Sequence, residues 1–357
     1  MENLTRAMDL VKTGETKVAT PFEIPQSGHS IGVGFWGAGR GFLSHHCEIK
    51  DGLLANYQIV TPSTINACPR TPWGEPNLQG LWRGDISHGI PLERPDDIDA
   101  AELTPEEAVT RREGSTLGGI WGYEREWRDT ALGFAPKVVS TQAAMVIDPP
   151  DGRLPPRVEA ERAPALAGDE RAPRGSVTPA GPEDLSTWVR CITRGLIPTP
   201  GGYNNGLQIV QGPGNVAIQK EMIHETRVIP TEPRSALGPN LTSWLGTAQG
   251  RWDGDTLVVE TTNFTGKTAS FNPSVSTAAG SGTTLHLIER FRRVADDTLL
   301  YEYTVDDSMT FSRPFTAALP MKRGEAMFEY ACHEGNYGLF NLLSGARAAE
   351  AASTSGQ

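Results

Sequence analysis

The C-terminal half of the chain consists of short runs of alternating apolar and polar residues, separated by local turn signals. Asp253-Gly254 and Asp296-Asp297 each lie between two such runs, and no helical pattern intervenes. Runs of this kind predict strands that pair with their sequence neighbours in an antiparallel sheet. The predicted strands are Leu207–Val210, Val216–Gln219, Arg227–Ile229, Thr256–Thr262, Leu285–Val294, Thr298–Val305 and Pro314–Leu319. The pattern therefore predicts a mainly β fold with a few helices (α+β), in which an antiparallel meander forms a curved sheet or a barrel.

Changes in composition divide the chain into five segments. The predicted segments are 1–70, a hairpin-containing piece; 71–148, an irregular or helical lead-in; 149–183, a loop or linker; 184–350, the antiparallel β domain with a C-terminal helix; and 351–357, a disordered tail. The first boundary falls at a proline-rich stretch over 69–76. The linker is rich in Pro, Ala, Gly and charged residues and has little periodicity, which is typical of surface loops.

Two local signals predict regular structure before the β domain. Thr104 is a helix N-cap, Pro105 follows at the first helical position, and Glu107 completes a capping box. Earlier, the runs 42–50 and 54–61 flank Asp51-Gly52 and predict a β-hairpin. A short helix is also expected over residues 1–12.

Charge and hydropathy narrow the classes of partner. The net charge is -11 and the basic residues are scattered, which argues against nucleic acid as a partner. No run of about 18 apolar residues is present, so we expect no membrane span. Residues 1–6 lack the basic and apolar regions of a signal peptide, so the sequence as written predicts a cytoplasmic, soluble protein.

Four cysteines are present, and none belongs to a Cys-x-x-Cys pair. A zinc ribbon and a thioredoxin-like motif are therefore not expected. Cys191 and Cys332 both lie in the predicted β domain, 184–350, where they form one disulfide in an oxidising compartment or remain two buried thiols.

The chemical candidates are two pairs, His224-Glu225 and His333-Glu334. Each combines an imidazole with a carboxylate, and together the pairs could bind a divalent ion or act in acid–base catalysis. Hydrogen bonding within a sheet and at a helix entry is the structural alternative. A further candidate is a ligand cavity lined by the aromatic residues Trp244, Trp252, Phe264, Tyr301, Tyr303, Phe311 and Phe315.

Residues 9–70 resemble the C-terminal part of the large subunit of nickel-iron hydrogenases. The matching residues are Gly39-Arg40-Gly41-Phe42-Leu43-Ser44-His45, Asp51-Gly52, Ala55-Asn56-Tyr57-Gln58-Ile59-Val60 and Thr61-Pro62-Ser63-Thr64-Ile65-Asn66-Ala67-Cys68-Pro69-Arg70. The resemblance covers about a fifth of the chain. It implies that Arg70 is a catalytic residue, because the family's matching arginine presents its guanidinium to the ligands on iron.

The same resemblance implies that four thiolates hold the metal, from two Cys-x-x-Cys motifs at opposite ends of the family's subunit. Neither motif is in this chain, and the first would lie upstream of Met1. We therefore predict no cofactor, and a nickel-iron centre only if another chain supplies the thiolates.

Residues 71–350 resemble a family of uncharacterised, usually exported, β-rich bacterial proteins. The matching runs include 71–82, 91–95, 148–153, 190–195, 201–205, 250–257, 263–264 and 330–337. This resemblance implies an architecture and an exported location, which differs from the cytoplasmic prediction, but it implies no reaction.

The preferred hypothesis is a β-rich domain of unknown activity, fused to a hydrogenase large-subunit fragment that is not competent as a hydrogenase. The fusion is either a genuine gene rearrangement or a chimeric sequence joined through 69–76. Three alternatives stay open: a small-ligand binding module, a metal-dependent or acid–base hydrolase, and a subunit that acts in hydrogen oxidation with another chain. The partners expected are accordingly a small-molecule ligand or hydrogenase subunits.

Overall fold

A computed structural model gives two compact units, Met1–Pro69 and Arg70–Gln357. The structure describes residues 69–84, 90–114, 140–158, 178–198, 206–235, 237–265, 283–324 and 327–355, together with the backbone of residues 29–38, 41–50 and 53–60. Among the described residues, no helix is both long and apolar enough to cross a membrane. The helix predicted over 1–12 lies outside the described residues.

The first unit contains a three-stranded antiparallel sheet. Its strands are β1 (His29–Ala38), β2 (Gly41–Lys50) and β3 (Leu53–Val60). Strand β2 pairs with both neighbours, in the order β1-β2-β3. The β2–β3 pairing confirms the hairpin predicted around Asp51-Gly52.

The second unit is built on one ten-stranded antiparallel sheet. Its strands are β4 (Gly80–Arg83), β5 (Val146–Asp148), β6 (Gly206–Gly212), β7 (Asn215–Lys220), β8 (Thr226–Pro230), β9 (Thr247–Asp253), β10 (Thr256–Thr262), β11 (His286–Ala295), β12 (Thr298–Asp306) and β13 (Phe315–Arg323). Nine of them follow the order β8-β7-β6-β4-β13-β12-β11-β10-β9, and β5 pairs with β13. This arrangement confirms the predicted mainly β fold.

The sheet curves until its two edge strands, β8 and β9, approach each other. The Gln249 side-chain amide donates hydrogen bonds to the carbonyls of Pro230 (2.9 Å) and Glu232 (3.0 Å). Gly250 permits this approach, because a Cβ atom there would lie 2.9 Å from Cγ2 of Ile229. The result is a nearly closed, barrel-like sheet.

Buried and partly exposed residues alternate along the strands, so the core lies on the inner face of the curved sheet. On β12, Leu299, Tyr301, Tyr303 and Val305 are fully buried, while the residues between them are partly exposed. Trp82 of β4 is also fully buried, and its indole N–H donates to the Leu78 carbonyl at 2.8 Å. Period-two burial of this kind is what a one-sided sheet requires.

Helix α1 (Pro105–Gly114) begins where the sequence predicts. The Thr104 N–H donates to a Glu107 carboxylate oxygen at 2.9 Å, and the Glu107 N–H donates to the Thr104 hydroxyl at 3.2 Å. This reciprocal pair is the predicted capping box.

The structure differs from the sequence predictions in the lead-in and the tail. The segment 71–148 contributes two strands to the main sheet, β4 and β5. Strand β4 has four residues and β5 has three, so neither is long enough to show a periodic pattern in the sequence. Both strands form by pairing with strands that are distant in the sequence. Helix α2 (Tyr337–Ser355) extends through most of the predicted disordered tail. Alanines favour that extension, as do the Arg347–Glu350 ion pair (2.6 Å) and the Thr354 hydroxyl, which donates to the Glu350 carbonyl.

Candidate functional site

A small cavity with a volume of about 10 Å³ lies against the inner face of the curved sheet. Its apolar lining consists of Leu196, Pro198, Leu207, Ile218, Leu245 and Phe291, and its charged lining consists of Lys220, Glu225, Arg227 and Glu289. A volume of this size holds about one water molecule and is far below the range of protein sites for small molecules, about 300–1,000 Å³. Apolar walls with a few convergent polar groups are the usual composition of such sites.

Two of the charged groups form a buried ion pair across the interior of the sheet. Arg227 of β8 donates from both terminal nitrogens to Glu289 of β11, at 2.5 and 2.6 Å. The Glu289 side chain is fully buried, and that of Arg227 is 11% exposed. The Tyr301 hydroxyl donates to the same carboxylate at 2.9 Å. Burial raises the pKa of Tyr301 well above its ordinary value, and the Glu289 charge acts in the same direction.

Lys220 is the inward-facing residue at the end of β7, in line with Val216 and Ile218. Its ammonium donates a hydrogen bond to the Gly195 carbonyl. Burial lowers the pKa of Lys220, and although Glu225 opposes this, the charges of Arg227 and Arg194 favour the neutral amine.

Glu225 is the acidic neighbour of Lys220 in the cavity. One carboxylate oxygen, Oε1, accepts a hydrogen bond from the Arg194 backbone N–H at 2.8 Å. The other, Oε2, is buried and has no hydrogen-bond partner among the residues that the structure describes. An unsatisfied buried acceptor is costly, and such groups are rare in native proteins.

The turn between β7 and β8 positions both residues. The Lys220 N–H donates to the Glu225 carbonyl at 2.8 Å, which closes the turn. Inside it, Ile223 and His224 have positive φ values of 61° and 45°. A β-branched residue in this region is a conformational outlier, and strain of this kind clusters at binding and catalytic sites.

Two further segments are tied to this turn. The His224 ring nitrogen Nδ1 lies 2.8 Å from the Tyr330 carbonyl oxygen. A disulfide joins Cys191 to Cys332, with Cα atoms 5.8 Å apart, so the disulfide alternative of the sequence analysis is the one adopted. The bond connects the loop that holds Glu225, through Arg194, to the segment before α2.

The structure separates the four residues predicted as two acid–base pairs. Glu225 lines the cavity, whereas His224, His333 and Glu334 are exposed. Across the part of the chain that the structure describes, no group of three or more His, Cys, Asp or Glu residues could hold a metal ion. An acid–base role for the two pairs stays a prediction.

Sequence reasoning missed three charged cavity residues, Lys220, Arg227 and Glu289. Each occupies an inward position of a strand whose other inward residues are apolar, and this pattern is the signal that could have revealed them. Of the predicted aromatic lining, Phe264, Tyr301, Tyr303, Phe311 and Phe315 are buried in the core. The aromatic residue that does line the cavity is Phe291.

Arg70 lies on the surface of the second unit. Its guanidinium forms an ion pair with Asp255 at 2.6 Å and donates to the Gly74 carbonyl at 3.3 Å. Asp255 belongs to the turn between β9 and β10. Arg70 therefore contacts the tip of a hairpin of the second unit.

Comparison with known proteins identifies relatives for the first segment. Residues 1–78 match the family described as nickel-dependent hydrogenase. Hydrogenase-2 large chain of Escherichia coli (strain K12) is 57% identical over 47 residues, which are 13% of this chain and 8% of that protein. Uptake hydrogenase large subunit of Rhizobium leguminosarum bv. viciae is 56% identical over 43 residues, 12% of this chain and 7% of the relative.

A solved structure, an actinobacterial-type NiFe-hydrogenase from Ralstonia eutropha H16, is 42% identical to this chain. The match covers 20% of this chain and 12% of that one, with a TM-score of 0.14. This chain spans less than a tenth of the length of the two large subunits above. Residues 1–78 therefore match part of the nickel-iron hydrogenase large subunit, and they precede a barrel-like β unit that carries the cavity.

Proposed function

We propose that the β-rich unit is a binding module for a small, mainly apolar molecule that carries a hydrogen-bond donor. The observation that supports this most directly is the Glu225 carboxylate, whose Oε2 atom is buried at an apolar cavity and has no hydrogen-bond partner in the described part of the chain. Because the cavity holds about one water molecule, a larger ligand enters only if the side chains of Leu207, Ile218 and Phe291 move apart. Its hydroxyl or amine could then donate to this oxygen. Such a contact recovers the cost of an unpaired acceptor, about 1–3 kcal/mol.

Charge balance in the cavity favours a neutral or cationic ligand over an anionic one. Arg227 is already neutralised by two short bonds to Glu289, and the Lys220 ammonium is engaged by the Gly195 carbonyl. An anion would therefore compete with the bound Glu289 carboxylate and lie close to Glu225. A ligand that donates a hydrogen bond to Glu225 does not have to displace the Glu289 carboxylate.

Benzyl alcohol and 1-hexanol are expected to bind weakly, with a Kd of about 1 mM, because widening the cavity uses part of the binding free energy. At saturating concentration they should raise the melting temperature by a few degrees, as expected for a ligand that binds only the folded state. Toluene, which lacks the donor, and benzoate should bind at least about tenfold more weakly. Isothermal titration calorimetry of the full chain measures the dissociation constants, and thermal unfolding measures the change in melting temperature.

Matched tryptophan variants locate the binding. Leu245→Trp fills the cavity and should abolish the response to benzyl alcohol. Leu241→Trp, four residues earlier at a 60% exposed position, should leave it unchanged. Equal responses of both variants, or equal affinity for toluene and benzyl alcohol, would contradict the proposal.

We infer that the protein works in an oxidising compartment. The Cys191–Cys332 disulfide supports an oxidising compartment, because such bonds are rare where thiols are kept reduced. The resemblance of residues 71–350 to exported proteins points the same way.

We further propose that the hydrogenase-like segment does not form a nickel-iron centre within this chain. The resemblance requires four thiolates, and two of the four cysteines are joined as Cys191–Cys332. Only Cys47 and Cys68 remain, so the cysteines do not fit the centre. In addition, Arg70 is paired with Asp255 on the surface of the other unit. Association with a hydrogenase chain that supplies the thiolates is a second candidate, which the match over residues 1–78 favours.

Metal analysis separates these two candidates. The full chain, produced in a host that makes its own nickel-iron hydrogenase, is expected to purify with less than about 0.1 nickel per chain, because soft thiolate donors are needed to hold the centre. The host's own large subunit, purified in parallel, is the control. Stoichiometric nickel and iron in the isolated chain would overturn the first candidate, and their presence in a co-purified complex would support the second.

A further inference from the structure

Helix α2 is anchored along one of its sides. Leu339 and Leu343 are partly buried and Ala346 is buried, and these three residues recur at the spacing of one helix face. Next to them, the Arg347 guanidinium donates a hydrogen bond to the Pro179 carbonyl at 2.7 Å. These contacts determine which side of the helix faces outward.

A second face of α2 is exposed to solvent. Its residues recur at intervals of three or four, so at about 3.6 residues per turn they lie along one side of the helix. We call these residues the outer strip: Tyr337, Phe340, Ser344, Ala348 and Ala351. The Tyr337 side chain is 73% exposed and that of Phe340 is 65% exposed. Contiguous exposed apolar groups of this size mark interaction surfaces.

The outer strip is symmetric about Ser344. Tyr337 and Phe340 precede Ser344 by seven and four residues, and Ala351 and Ala348 follow it by the same distances. If two copies of α2 pack in antiparallel orientation about a twofold axis at Ser344, Tyr337 lies over the second copy's Ala351. Phe340 then lies over the second copy's Ala348. Each large side chain meets a small one, so the strip is complementary to itself.

Charge also favours a second copy as the partner. The chain has a net charge of -11, so most of its surface repels another copy. Residues 335–346 contain no Asp, Glu, Lys, Arg or His, and the following Arg347 and Glu350 neutralise each other at 2.6 Å. A lipid surface is a less suitable partner, because helices that lie on membranes are rich in Lys and Arg on their polar face, and Arg347 is the single basic residue of α2.

We propose that α2 is a dimerisation surface, on which a second copy of this chain docks through the antiparallel outer strips. A buried aromatic side chain removes about 150–250 Å² from water. The four aromatic side chains of two strips, with the small residues that they cover, therefore bury on the order of 1,000 Å², which is the size of a weak, reversible interface. The expected Kd is about 10–100 µM. The dimer does not depend on a ligand in the cavity.

Sedimentation velocity of the full chain between about 1 and 500 µM tests the dimer. The weight-average mass should rise with concentration from that of one chain toward that of two. Phe340→Asp should weaken the dimer at least about tenfold, because it places an unpaired carboxylate in each apolar contact. Leu241→Asp adds the same charge at a leucine that is 60% exposed and lies outside α2, so it should change the Kd by less than about twofold.

A paired substitution tests the antiparallel register. Phe340→Asp combined with Ala348→Lys brings the new carboxylate at position 340 of one copy to the new ammonium at position 348 of the other. The combined variant should therefore dimerise at least about fivefold more tightly than Phe340→Asp alone. A parallel pair would bring the two carboxylates together and show no recovery. Far-ultraviolet circular dichroism checks that each variant retains its fold.

Three results would overturn the proposal. The wild-type chain stays monomeric up to about 500 µM, or Phe340→Asp and Leu241→Asp affect the dimer equally, or the combined variant shows no recovery. Flotation with phosphatidylcholine vesicles distinguishes the other partner. If the chain is monomeric in solution but binds vesicles, and Phe340→Asp abolishes that binding, the partner of the outer strip is lipid and the dimer is wrong.

Discussion

Replacement of Arg227 by methionine is expected to lower the free energy of unfolding by about 3–5 kcal/mol, the usual loss when one partner of a buried ion pair is removed. The reason is the fully buried Glu289 carboxylate, which receives two short hydrogen bonds from the Arg227 guanidinium. Without that guanidinium, the Tyr301 hydroxyl is the one side-chain donor among the described residues that still bonds to this carboxylate. Urea unfolding followed by tryptophan fluorescence measures the loss.

A second arginine provides the matched control. Arg251 pairs with Glu260 at 3.7 Å, and both side chains are about half exposed. Arg251→Met should change the free energy of unfolding by less than about 0.5 kcal/mol, because exposed ion pairs contribute little. If both arginine variants lose the same stability, the buried pair does not have the role assigned to it.

The double variant Arg227→Met with Glu289→Gln tests the cause of the loss. Glutamine retains an acceptor for the Tyr301 hydroxyl but removes the uncompensated charge. We expect the double variant to recover at least about half of the lost stability, since the penalty comes chiefly from leaving one charge buried alone. A loss that is simply the sum of the two single changes would indicate lost packing instead.

Removal of the Cys191–Cys332 disulfide is the second large effect. The bond joins residues 141 apart in sequence, so the loop it closes is long. Cys191→Ser with Cys332→Ser is expected to lower the free energy of unfolding by about 2–5 kcal/mol, chiefly because the unfolded chain becomes less constrained. The same variant should weaken binding of benzyl alcohol, since the loop that holds Glu225 through Arg194 loses its covalent tie.

Reduction with dithiothreitol should reproduce the loss in the wild-type protein and leave the double-serine variant unchanged. Thiol titration of the unfolded, unreduced chain should find two free thiols, because two of the four cysteines are paired. Four free thiols in protein isolated from an oxidising compartment would contradict the disulfide.

The strands of the meander can be predicted from the sequence, because each is a local alternation of apolar and polar residues that ends at a turn. The capping box at Thr104 and Glu107 was predictable for the same reason, since its two hydrogen bonds span only three residues. Strand β4 could not be predicted in this way. All four of its residues pair on one side with β6, and Trp82 and Arg83 pair on the other side with β13; both partners are more than 100 residues away.

The candidate site also depends on contacts between distant residues that the sequence does not predict. The sequence draws attention to Glu225 because a histidine precedes it, but the contacts that distinguish it come from Arg194 and from the cavity. The adjacent His224 is exposed, and in an alternating strand or a tight turn neighbouring side chains point in different directions. The charged residues Arg227 and Glu289 are 62 positions apart and meet only across the interior of the sheet.

The sequence by itself determined the local features of this protein: alternating strands, the capped helix, and cysteines that form no Cys-x-x-Cys pair. These follow from residue types and short spacings, which act over a few residues. Only the tertiary structure decided that the two edge strands of the sheet approach each other, that Cys191 and Cys332 pair, and that Lys220, Glu225, Arg227 and Glu289 face one cavity. Those features depend on contacts between residues far apart in the chain, which sheet curvature and strand order bring together.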